Sequence, residues 1–107
     1  MPDRRRSQQF EEAARLLGRK VAALRQHRGL TQEMLSDRTG LSRNQIQNIE
    51  HSRGNQRGPN GQPSPGNARL DTVYVLAQVL DVRVADLVDP AVTEHDLLRL
   101  VGEQADV

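Results

Sequence analysis

Four side chains in the run RNQIQN, namely Arg43, Asn44, Gln47 and Asn48, carry planar groups that hydrogen bond through two neighbouring atoms at once. A guanidinium matches the O6/N7 edge of guanine and a carboxamide matches the N6/N7 edge of adenine. Each well-made pair discriminates against a wrong base by about 1–3 kcal/mol. A face selected only for solubility would be served at least as well by Glu and Lys, so this density of Arg, Asn and Gln points to the reading of base edges. Competing chemistry is hard to find. Cysteine is absent, which excludes disulfides and thiolate metal sites. His27, His51 and His95 share no helical spacing with acidic ligands. No nucleophile–base pair or carboxylate dyad stands out. Neither an enzyme, nor a metal site, nor a cofactor is expected.

Base reading requires a rigid element, and the flanking residues supply its signals. Ser42 is an N-cap, and Gln45 three positions on completes an S-x-x-Q capping box, after which Ile46 and Ile49 turn inward. Upstream, Thr31 caps a shorter helix running from Gln32 to about Thr39, with Glu33 well placed in its first turn. Gly40 ends that helix, and Gly40-Leu41-Ser42 forms a tight turn. Leu35, Leu41, Ile46 and Ile49 make the inner face of the pair, leaving Arg43, Asn44, Gln47 and Asn48 outside. Residues 31–50 therefore read as a helix-turn-helix.

Other elements must hold this pair. Phe10, Ala13, Ala14, Leu17, Val21 and Leu24 recur at steps of three and four and predict a helix over 10–28, stopped by Gly29. Residues 51–68, rich in Gly and Pro and without an acid, predict an irregular loop well beyond the usual connection length. Val73, Leu76, Ala77 and Leu80, flanked by Leu70 and Tyr74, predict a fourth helix. A short helix carries Val84, Leu87 and Val88 before Pro90. Thr93 with Asp96 caps a last one bearing Leu97, Leu98, Leu100 and Val101. Phe10 and Tyr74 are the only aromatic residues in 107, so the core must be aliphatic, which suits helices packed on helices. One domain is all that this length allows.

The net charge of +1 conceals an asymmetry. Residues 1–69 hold thirteen Lys and Arg against six Asp and Glu, whereas residues 70–107 hold two against eight, or about +7 and −6. Such a division suggests one face for a polyanion and another turned away from it or toward a protein partner. No stretch approaches the roughly 18 apolar residues of a membrane span, and MPDRRRSQQF lacks the apolar run of a signal peptide. No membrane association and a cytoplasmic location are expected.

On the segments LGRKVAALR (17–25), GLTQEMLSDRTGLS (29–42), IQNIE (46–50) and LAQVLDVRVADLV (76–88), the chain resembles the Cro/repressor-type helix-turn-helix proteins, the XRE family. The resemblance runs from about Leu17 to Val88 and implies an all-α, lambda-repressor-like domain of five helices, here with a long flexible loop after the third helix and an extra C-terminal helix. It implies that Gln32, joined by Ser42, contacts backbone phosphate, in keeping with the anion preference of helix N-termini. Arg43, Asn44 and Asn48 match base-contacting positions, with Gln47 on the same outer face. Arg25 and Glu50 match a structural pair that ties the first helix to the third. Ser36 and Thr39 stand where the family usually has Ala, Asp81 where Gly often ends the fourth helix, and Ser52 where Gly commonly follows the third.

The expected organisation is a flexible basic arm over 1–9, a DNA-binding domain over 10–90 with the 51–68 loop inserted, and a C-terminal helix over 91–107 that either caps the core or contacts a second copy. Arg53 and Arg57 in the loop either reach phosphates and the adjacent minor groove or belong to a disordered insertion. The expected function is a sequence-specific transcriptional regulator, a repressor, that binds double-stranded DNA as a homodimer with its third helix in the major groove. The rival reading is an antitoxin-type module that meets a protein partner through the acidic C-terminal part and regulates its own gene through the helix-turn-helix.

Overall fold

The computed structural model describes residues 4–51 and 68–105, and within these the side chains of residues 8–51 and 68–102. The elements are α1 (Arg4–His27), α2 (Gln32–Thr39), α3 (Arg43–Glu50), α4 (Leu70–Leu80), α5 (Val84–Val88) and α6 (Glu94–Ala105), with no strand among the described residues. The fold is all-α, as the aliphatic composition and the 3.6-residue periodicity require. α1 is its axis: α3, α4, α5 and α6 pack on it, and α2 packs on α3 and α4.

The core gathers Leu17, Val21 and Leu24 of α1 with Leu35, Ile46, Leu76, Leu80, Leu87, Leu97 and Val101. Each such leucine stabilises the fold by about 1.5–3 kcal/mol through burial alone. The local signals hold at the element ends. The Thr31 hydroxyl accepts from the Met34 amide at 3.0 Å, and Gly40 closes α2 at φ 77° with its N–H donating to the Ser36 carbonyl. That left-handed backbone is open to glycine and strained for residues with a Cβ. Thr93 and Asp96 cap α6 reciprocally, at 3.0 and 3.1 Å.

Four features correct or add to the sequence reading. α1 begins at Arg4, so residues 4–9 continue the helix instead of forming a flexible arm; Arg and Gln are good helix formers and nothing in RRRSQQ breaks the run. Phe10 is exposed although it lies on the α1 stripe, because full burial on this helix starts only at Leu16. Asp81, in place of the usual glycine, still takes the left-handed C-cap at φ 58°, a conformation Asp tolerates better than most side chains.

The fourth is Lys20, a cation beside the apolar stripe, which is fully buried. Its ammonium donates to the carbonyls of Asp86 at 2.6 Å and Asp89 at 2.9 Å, with that of Leu87 at 3.4 Å. The residue four beyond Asp86 is Pro90, which has no N–H to offer that carbonyl. Lys20 supplies the missing donor and joins α1 to the end of α5. Burial pushes its pKa down, partly offset by the carboxylates of Asp89, Asp86 and Asp96. At the other end of the bundle, the Arg28 guanidinium donates to the Leu80 carbonyl at 3.0 and 3.3 Å, capping α4.

Candidate nucleic-acid interface

α2 and α3 form the predicted pair, and the turn between them is stitched by the two residues that replace alanine. The Ser36 hydroxyl donates to the Leu41 carbonyl. Thr39 Oγ1 donates to the Leu35 carbonyl at 2.7 Å and accepts from the Leu41 amide at 3.2 Å. Ser and Thr here satisfy backbone groups that a tight turn would leave unpaired. Ser42 then opens α3 with the expected capping box: its Oγ accepts from the Gln45 amide at 3.0 Å, and Gln45 Oε1 accepts from the Ser42 amide at 2.8 Å. The Ser42 hydroxyl keeps its proton free to donate.

α3 buries Ile46 and half-buries Ile49. Asn44 and Asn48, one turn apart, therefore lie on the side roughly opposite Ile46, with Arg43 preceding them. Arg43 and Asn44 are exposed and Asn48 is half-buried. No hydrogen bond joins the side chain of any of these three to another described residue, so their donors and acceptors face outward unspent. α3 ends at Glu50 with His51 at φ −95°, whose N–H donates to the Gln47 carbonyl, so His51 itself is not left-handed. Ser52, Arg53 and Arg57, and with them nearly all of the 51–68 loop, lie outside the described residues.

The Arg25 and Glu50 pair is present. Arg25 Nε donates to Glu50 Oε2 at 2.7 Å and Nη2 to Oε1 at 3.2 Å, while Nη1 donates to the Leu30 carbonyl at 2.8 Å. Glu50 is 4% exposed and Arg25 13%. A bidentate pair this sheltered is geometrically specific, and it fixes α3 against α1 and the entry to α2. Two further links had no signal in the sequence. Gln32 Nε2 donates to Glu50 Oε1 at 3.1 Å, and Gln47 Nε2 donates to Gln32 Oε1 at 3.3 Å. Gln32 and Gln47 thus meet each other, while Arg43, Asn44 and Asn48 stand apart from that network.

No group of three or more His, Cys, Asp or Glu among the described residues could hold a metal ion, and no helix among them is long and apolar enough to cross a membrane.

Comparison with known proteins bears on the family of this helix pair. Residues 18–89 match the family model of a helix-turn-helix domain. The HTH-type transcriptional regulator y4dJ of Sinorhizobium fredii is 34% identical over 76 residues, spanning 71% of this chain and 83% of the relative. Among solved structures, the restriction-modification controller protein C.AhdI from Aeromonas hydrophila aligns with a TM-score of 0.54 and 28% identity, over 69% of this chain and 94% of that one.

Proposed function

The chain belongs to the Cro/repressor-type helix-turn-helix family of DNA-binding transcriptional regulators, and from that membership we propose that it is a repressor that binds an operator as a homodimer with α3 in the major groove. The observation that carries this reading is the set of Arg43, Asn44 and Asn48, whose side chains make no hydrogen bond to another described residue, on a helix anchored from behind by Arg25 and Glu50. A guanidinium and two carboxamides held on a rigid element offer guanine and adenine edges the bidentate partners they need.

Gln32 and Ser42, at the N-termini of α2 and α3, hold the backbone phosphates, where the helix dipoles favour anions. Arg53 and Arg57 add phosphate contacts from the loop. These contacts set the register, and the outer face of α3 selects the sequence. A second copy is needed because one such helix reads only a few base pairs, and paired half-sites about one DNA turn apart raise both affinity and specificity. The acidic C-terminal part faces away from DNA.

Selection of bound sequences from random duplexes tests the proposal. A two-fold symmetric site should emerge. Asn44→Ala and Arg43→Ala should each lose about 1–3 kcal/mol on the selected site and relax one position of it. If the wild-type chain enriches no sequence over nonspecific binding, the proposal fails.

A further inference from the structure

The hydrogen bonds behind α3 have a direction, and it ends at a residue on the outer face. Arg25 can only donate and Glu50, as a carboxylate, can only accept. Gln32 lies against Glu50 Oε1 at 3.1 Å, so it must turn its NH2 group to that oxygen, which leaves its own Oε1 facing Gln47. Gln47 must in turn donate, and does so through Nε2 at 3.3 Å. An amide O/N assignment is ordinarily ambiguous. Here the carboxylate removes the ambiguity at both glutamines. Glu50 is nearly inaccessible to water, so solvent cannot readily substitute for a link.

Gln47 Oε1 makes no hydrogen bond to another described residue. It is the acceptor left over when the amide is held through one of its two N–H groups.

We propose that Glu50, acting through Gln32, fixes the amide polarity of Gln47, so that Gln47 presents a carbonyl oxygen to the major groove and selects a base bearing an exocyclic amine, adenine or cytosine. Guanine O6 and thymine O4 are acceptors and would face that oxygen without a proton between them. Gln32 is then a positioning residue for base choice as well as a phosphate contact. The inference rests on the regulator reading above and adds a base preference to it.

The test repeats the duplex selection with the full chain and three variants. Gln47→Ala locates the position that Gln47 reads. In the wild type that position should favour adenine or cytosine. Gln32→Leu, which leaves the Arg25 and Glu50 pair intact, should flatten the preference there about tenfold while the positions read by Arg43 and Asn44 keep theirs. Gln32→Lys is the sharper variant. An ammonium donates to Glu50 and can only donate to Gln47, so it should turn the amide over, present NH2 to the groove and move the preference to guanine or thymine.

A purely phosphate-binding Gln32 predicts otherwise: uniformly altered affinity across all sequences with an unchanged profile. That outcome, or a wild-type preference for guanine or thymine at the position lost in Gln47→Ala, overturns the proposal. Both outcomes leave the regulator reading standing, because they require the wild type to enrich a site. Circular dichroism melting of each variant separates loss of fold from loss of polarity.

Discussion

Replacing Gly18 by alanine should destabilise the protein even though alanine is the better helix former. Gly18 lies in the interior of α1, where Gly→Ala would ordinarily stabilise by about 0.5–1 kcal/mol. A Cβ at this position, however, would lie 2.3 Å from the Ile49 carbonyl oxygen and 3.0 Å from that of Glu50. Ordinary close C···O approaches are about 3.3–3.6 Å, so the last turn of α3 would have to retreat by about 1 Å. Both opposing atoms are backbone, and no side-chain rotation relieves the clash. Overpacking of this kind costs about 1–3 kcal/mol. Set against the helix gain, the expected net loss is about 0.5–2 kcal/mol, or a melting temperature lower by about 2–16 °C.

Gly102 is the control. It also lies in a helix, but a Cβ there meets nothing within 4 Å, so Gly102→Ala should stabilise by about 0.5–1 kcal/mol. Both variants are measured by thermal and urea unfolding. The Gly18 variant should also bind the selected duplex more weakly, because the displaced turn carries Glu50 and hence the anchor of α3. If Gly18→Ala melts at or above the wild-type temperature while Gly102→Ala rises as expected, the close approach of α1 and α3 is refuted.

Asp81→Gly should raise stability by about 1 kcal/mol, since Asp81 occupies the left-handed region at φ 58° and glycine does so without a Cβ penalty; urea midpoints report it. Lys20→Met should lose about 2 kcal/mol because the Asp86 carbonyl would have neither Lys20 nor an amide at Pro90 to bond, and unchanged unfolding would remove Lys20 from the structural account. Glu50→Ala should lose about 3 kcal/mol by leaving the sheltered Arg25 guanidinium without its carboxylate, with DNA affinity falling further than the folded fraction. The Asp96 carboxyl is held below its ordinary value by hydrogen bonds from the Thr93 amide and hydroxyl. A lowered folded pKa contributes stability that is present above about 3.8 and lost as pH falls through the folded value, so the difference in urea midpoint between wild type and Asp96→Ala should hold at neutral pH and narrow below pH 3.8.

The helix pair and its outer face were legible because their signals are local. Thr31, Ser42 with Gln45, and Thr93 with Asp96 act within one helical turn of themselves, so their side chains bond the backbone groups expected from spacing alone, and Gly40 closes α2 through its own backbone N–H. The stripe of Val73, Leu76, Ala77 and Leu80 likewise marks a buried face without reference to what covers it. The Arg25 and Glu50 pair entered through family resemblance, since no local rule joins residues so far apart in the chain.

What only the tertiary structure decided is which distant groups meet. Periodicity places Phe10 on the apolar stripe and leaves Lys20 off it, yet the packed bundle exposes the first and buries the second, where the Asp86 carbonyl takes the Lys20 ammonium. Gly18 reads as an ordinary helix weakness until α3 lies against it. The order Arg25, Glu50, Gln32, Gln47 exists only once α1, α2 and α3 are docked. The residues proposed to read DNA are written in the sequence, whereas the hydrogen bond that holds Gln47 depends on a carboxylate that packing brings to Gln32.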